Sequence, residues 1–121
     1  MPEPTDLEVH VEHHDAAVVL RPVGEIDLSC APALRHQISE VQRTNPACLV
    51  VDLSEVPYMD SSGLATLVEA MQVAIRRRSK LFICGLQDRV RSIFEIARLH
   101  QVFVIVPDVE AALVRCRESG A

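Results

Sequence analysis

Residues 48–53 read Cys-Leu-Val-Val-Asp-Leu, a nearly unbroken apolar run. A strand of this kind has no face suited to water. It must be covered on both sides, which is typical of a parallel sheet carrying helices. The composition permits such a sheet: 49% of the 121 residues are hydrophobic, but only 3% are aromatic and none is Trp. The core must therefore come from Val, Ile, Leu and Ala. A chain of this length fits one compact domain spanning residues 1–121. Met1 to Asp6, polar with two prolines, is expected to be a loose N-terminal tail.

The flanking sequence alternates strand and helix patterns. Leu7 to His13 alternates Leu7, Val9 and Val11 with Glu8, His10 and Glu12, the period-two pattern of a half-buried edge strand. His14 and Asp15 make a turn, and Ala17 to Val23 pairs back antiparallel. Gly24-Glu25-Ile26-Asp27 ends that strand. Ser29 is then expected to cap a helix with Pro32 in its first turn and Leu34, Ile38 and Val41 inward. After the buried strand and the loop Ser54 to Met59, Leu64, Leu67, Val68, Met71 and Ile75 follow the spacing of one helical face. Lys80 to Cys84 forms a fourth strand. Val90, Ile93, Phe94 and Ala97 mark a third helix, Val102 to Val106 a fifth strand, and Val109, Ala112, Leu113 and Cys116 the inward side of a last helix. The order β-β-α-β-α-β-α-β-α, with right-handed crossovers as the default, gives an α/β fold. Its mixed sheet has about five strands, the N-terminal one antiparallel, and four helices.

Charge and spacing remove several classes of function. A net charge of −5 argues against nucleic acid, which wants a basic face. The basic run Arg76, Arg77, Arg78 and Lys80 falls at a helix end, where cations suit the dipole. The N-terminus lacks the basic-then-apolar pattern of a signal peptide, and no apolar run reaches the roughly 20 residues of a membrane span. Neither export nor membrane insertion is expected. Cys30, Cys48, Cys84 and Cys116 are widely spaced in apolar or small-residue surroundings, and read as free core thiols of a reducing cytoplasm. The five histidines have no metal-ligand spacing. No Gly-x-Ser-x-Gly elbow, phosphate loop or dinucleotide fingerprint occurs, so neither enzyme activity nor a cofactor is expected.

Asp60-Ser61-Ser62-Gly63 lies where a loop becomes a helix. Backbone N–H groups are unpaired at a helix start, so a capping oxygen or a phosphate is stabilised there. Gly63 allows another backbone to come close. Taken alone, Asp60 or Ser61 need be no more than an N-cap.

The wider context resembles the STAS domain, specifically the bacterial anti-sigma factor antagonists. In that family a buried strand ends in Asp-Leu, here Asp52-Leu53, and a short loop leads to Met-Asp-Ser-Ser-Gly-Leu, here Met59 to Leu64. A second family feature, Gly-Glu-Ile/Leu-Asp, stands at Gly24 to Asp27. The likeness runs from about Leu7 to Cys116. It departs at Ala65, where the family often has Gly; this change favours helix. The resemblance implies that Ser61 is phosphorylated by a partner that is both an ATP-dependent serine kinase and an anti-sigma factor. The unphosphorylated domain binds that partner and frees the sigma factor, and a serine phosphatase restores Ser61. Asp27, Asp60, Ser62 and Gly63 form the surroundings of the phosphosite. Met59, Leu64, Ala65, Thr66 and Glu69, with the loop from Ser54, form the expected partner surface.

Two other readings remain at this point. Other STAS domains serve in stressosomes, in transporters or in other signalling complexes. A phosphoaspartate receiver has a similar layout, and Asp52, Pro57 and Met59-Asp60 partly mimic it. Glu12 and Asp15, however, are badly placed to hold a receiver's Mg²⁺, and neither late strand ends in Lys.

Overall fold

A computed structural model describes residues 7–119 of the chain; the expected tail, Met1 to Asp6, lies outside them. The elements are β1 (Glu8–His14), β2 (Ala17–Val23), α1 (Ala31–Gln42), β3 (Cys48–Asp52), α2 (Ser61–Arg76), β4 (Lys80–Cys84), α3 (Asp88–Ile96), a 3₁₀ turn (Leu99–Gln101), β5 (Val104–Val106) and α4 (Val109–Ser119). The five strands lie side by side in chain order. β1 pairs antiparallel with β2, Glu8 facing Val23, and the other pairs are parallel.

β3 holds the centre, and all five of its residues are buried. Its side chains alternate between two cores, as the pleat requires. Leu49 and Val51 face Leu34 and Ile38 of α1, Leu67 of α2 and Phe94 of α3; Cys48 and Val50 face Ala112 and Cys116 of α4. Phe94 meets Phe103 edge-on at 5.7 Å between ring centres. The four cysteines are free and buried. Arg77, at the end of α2, donates to the Gln42 carbonyl and to Asn45 Oδ1, so part of the basic run ties the ends of α1 and α2 together.

Several local expectations need correction. Ser29 does not cap α1. The helix starts at Ala31, with Cys30 at the N-cap position and no side-chain cap. Asp27 satisfies this stretch instead: its carbonyl accepts from the Cys30 and Ala31 amides at 3.1 and 2.9 Å. Ile75 is 66% exposed. The buried face of α2 is made by Gly63, Leu64, Thr66, Leu67, Ala70 and Ala74, small residues that a stripe of large side chains overlooks. Ala97 is exposed past the end of α3. β5 starts at Val104, because the 3₁₀ turn takes up the preceding chain. The antiparallel first pair is foreign to a receiver's parallel sheet, and Asp52 is buried with its carboxylate accepting from the Ser54 amide at 3.0 Å.

Candidate functional site

The two motifs, more than 30 residues apart in sequence (roughly the length of a crossover unit), meet at the carboxyl ends of β2 and β3. Backbone hydrogen bonds join them: Gly24 N–H to the Glu55 carbonyl at 2.9 Å, Ile26 N–H to Tyr58 at 3.0 Å, and Asp60 N–H to Ile26 at 3.0 Å. Ile26 and Met59 form an isolated parallel bridge, and both side chains are fully buried. This short zipper fixes the entry to α2 against the turn after β2.

Gly63 belongs to the same packing. A Cβ there would stand 2.5 Å from Met59 Cγ and 3.0 Å from Ile26 Cγ2. What comes close to Gly63 is therefore a pair of side chains rather than the backbone expected from sequence.

Each motif ends in an Asp-x-Ser turn of the same construction. Asp60 is the N-cap of α2; its Oδ1 accepts from the Ser62 amide at 2.9 Å and from the Ser62 hydroxyl. Asp27 Oδ1 likewise accepts from the Ser29 amide at 2.9 Å and from the Ser29 hydroxyl. The middle residues, Ser61 and Leu28, are exposed. Ser61 is the first residue of α2, at the positive end of its dipole.

Both carboxylates are held as anions. The Ser62 hydroxyl, with the amides of Ser62, Gly63 and Leu28, keeps the Asp60 carboxyl below its usual range against partial desolvation. The Ser29 hydroxyl and amide do the same for Asp27, while desolvation and the Asp60 charge act against them.

The remaining expected residues divide by burial. Met59 and Leu64 are buried, and Thr66 is buried with its hydroxyl donating to the Ser62 carbonyl at 2.9 Å. Their side chains serve the core and the helix. Thr66, expected on the outer side of α2, faces inward, and its intrahelical bond is what permits this. Ala65 is exposed, and Glu69 pairs with Arg35 at 3.0 Å across α1 and α2. Leu28, 75% exposed, was missed by the sequence reading, although the repeated Asp-x-Ser at residues 27–29 and 60–62 is visible in sequence.

Residues 8–112 match the family described as the STAS domain. The anti-sigma-B factor antagonist of Listeria monocytogenes is 39% identical over 82 residues, 68% of this chain and 72% of that one. The crystal structure of an anti-sigma factor antagonist from Mycobacterium paratuberculosis is similar with a TM-score of 0.86 at 29% identity, covering 97% of this chain and 99% of that one. The antagonist SpoIIAA in its unphosphorylated form shares the fold, with a TM-score of 0.78 at 21% identity over 92% of this chain and 97% of that one. The chain belongs to the STAS domain family and, within it, to the anti-sigma factor antagonists. That membership, with the antiparallel first strand pair and the buried Asp52, removes the receiver reading.

Proposed function

We propose that this chain is a partner-switching anti-sigma factor antagonist with Ser61 as its switch. Unphosphorylated, it binds an anti-sigma factor that is also a serine kinase and so frees the sigma factor. Phosphate transferred from ATP to Ser61 ends that binding, and a serine phosphatase reverses the modification. In this reading the chain is substrate and ligand, not enzyme. It acts in the cytoplasm without nucleic acid or membrane insertion; no helix among the described residues is long and apolar enough to cross a membrane.

The observation that carries this reading is the contrast between neighbouring serines. The Ser62 hydroxyl donates to Asp60, whereas Ser61 is exposed at the first position of α2. A phosphate on Ser61 adds about −1.5 to −2 charge beside Asp60 and near Asp27. The helix dipole and amides offset part of that repulsion within the domain. A partner pressed on the same surface has no such relief and must desolvate a dianion. Local repulsion, with the fold retained, is the mechanism.

The test is phosphate transfer from labelled ATP by candidate anti-sigma kinases of the same organism, using wild type, Ser61→Ala and Ser62→Ala. Label in wild type and Ser62→Ala but not in Ser61→Ala is expected. Label persisting in Ser61→Ala would remove Ser61 from the mechanism.

A further inference from the structure

Leu28 occupies in the first Asp-x-Ser turn the place that Ser61 occupies in the second. Both turns close with the same two hydrogen bonds and leave the middle side chain outside. Ser61 is polar and suits water. Leu28 is aliphatic and 75% exposed, on a turn whose own bonds need no apolar side chain.

The position is also rigid. The Asp27 carboxylate ties down Ser29, and the Asp27 carbonyl accepts from Cys30 and Ala31. With its backbone held in this way, the turn needs no further ordering when a partner covers Leu28, which favours affinity. Beside it runs a groove of about 200 Å³ lined by Leu28, Ala31, Pro32, Arg35, Ser62 and Ala65, among others. Its floor joins the first turns of α1 and α2, and the Arg35–Glu69 ion pair stands at the α1–α2 boundary.

We propose that Leu28 and this groove select the kinase partner: Leu28 enters an apolar pocket of the anti-sigma kinase, and an apolar side chain of the kinase fills the groove. The occupant follows from the geometry. A kinase that reaches the Ser61 hydroxyl must cover the first turn of α2. Ser62 lies in that turn and Ala65 one turn on from Ser61, and both line the groove. A partner seated on Ser61 is therefore seated on the groove and against Leu28. An apolar contact is indifferent to charge, so Leu28 sets which kinase binds while Ser61 sets whether it binds. This inference rests on the switch reading given above.

The test measures affinity and phosphorylation kinetics of wild type, Leu28→Ala and Leu28→Met with the candidate anti-sigma kinases of the same organism. Leu28→Ala is expected to weaken binding about tenfold or more, as a central apolar contact does. KM should rise while kcat at saturation and the melting temperature stay unchanged, and Leu28→Met should recover most of the affinity. Leu28→Ala within about twofold of wild type, little in energy on the same scale, would overturn the role of Leu28 and leave the switch standing. A loss of kcat at constant KM would overturn it too, because a docking residue acts through binding. If no candidate kinase binds wild type or labels Ser61, the switch reading falls, and this inference with it.

Discussion

The amide of Asp60 donates to the carbonyl of Ile26 at 3.0 Å, joining the cap of α2 to the turn that follows β2. Through this bond and its neighbours, Asp27 and Asp60 come to one end of the sheet from separate crossovers. The charge of each is fixed by a serine two residues later. The arrangement separates three roles that lie close together in sequence: Asp60 builds the turn, Ser62 closes it, and Ser61 is presented.

Asp27 holds a turn and carries a charge, and one substitution separates these. The carbonyl oxygen of asparagine can still accept from the Ser29 amide and hydroxyl. Asp27→Asn should therefore fold and melt close to wild type while lowering phosphorylation or kinase affinity. Asp27→Ala should lose stability as well. Full kinase affinity in Asp27→Asn, measured by titration, would reduce Asp27 to a turn residue.

The Asp60 cap should show in the pH dependence of stability. Its carboxyl lies below the ordinary value of 3.8 in the folded chain. A depressed folded pKa stabilises above the unfolded pKa, and that contribution is lost as pH falls through the folded one. Asp60→Ala should cost about 1 kcal/mol at neutral pH, as lost N-caps do. The gap in melting temperature from wild type should narrow as the medium is acidified below the ordinary carboxyl range. A gap that stays constant with pH would contradict the cap.

Gly63→Ala tests the packing under the switch. Alanine gains about 1 kcal/mol of helix propensity over glycine, but its Cβ would sit 2.5 Å from Met59 Cγ. Overpacking of a filled core costs about 1–3 kcal/mol. The clash should win, lowering the melting temperature and displacing the Met59–Asp60 turn, with slower phosphorylation of Ser61. A more stable variant would show that Met59 yields freely.

Buried thiols give a further check. Burial, followed by the charges of Asp52 and Asp108, pushes the Cys84 thiol up to about 12. A thiol this high is almost wholly protonated at neutral pH, and the thiolate is the reactive form. Iodoacetamide should leave Cys84 unmodified in the native protein and label it after denaturation. Rapid native labelling, read by mass spectrometry, would contradict its placement in the core.

The strands were legible in sequence because their periods differ so plainly. The period-two pattern of 7–13 marked an edge, and the apolar run at 48–53 marked the centre. The site was legible as two motifs, but not their union. Backbone hydrogen bonds between residues 24–26 and 55–60 make that union, and backbone bonds leave no signature in side-chain type. Burial along α2 departs from the large-residue stripe where small or polar residues turn inward. Ala70 and Ala74 are buried although neither is large, Thr66 because its hydroxyl finds a carbonyl, and Ile75 is left outside. Ser29 resembled a cap by composition, yet its hydroxyl serves Asp27, a choice set by turn geometry rather than by residue preference.

The switch at Ser61 is tested most directly by the affinity of three forms of the chain for the anti-sigma kinase, measured by calorimetric titration with circular dichroism as the control on fold. Wild type should bind most tightly. Ser61→Asp, with a single added charge, should bind more weakly. The phosphorylated chain should bind weakest, by about a hundredfold, or about 2.8 kcal/mol at 1.4 kcal/mol per tenfold, with its dichroism unchanged. Equal affinities for the three forms would contradict the switch at Ser61, and a collapsed spectrum on phosphorylation would contradict its local mechanism.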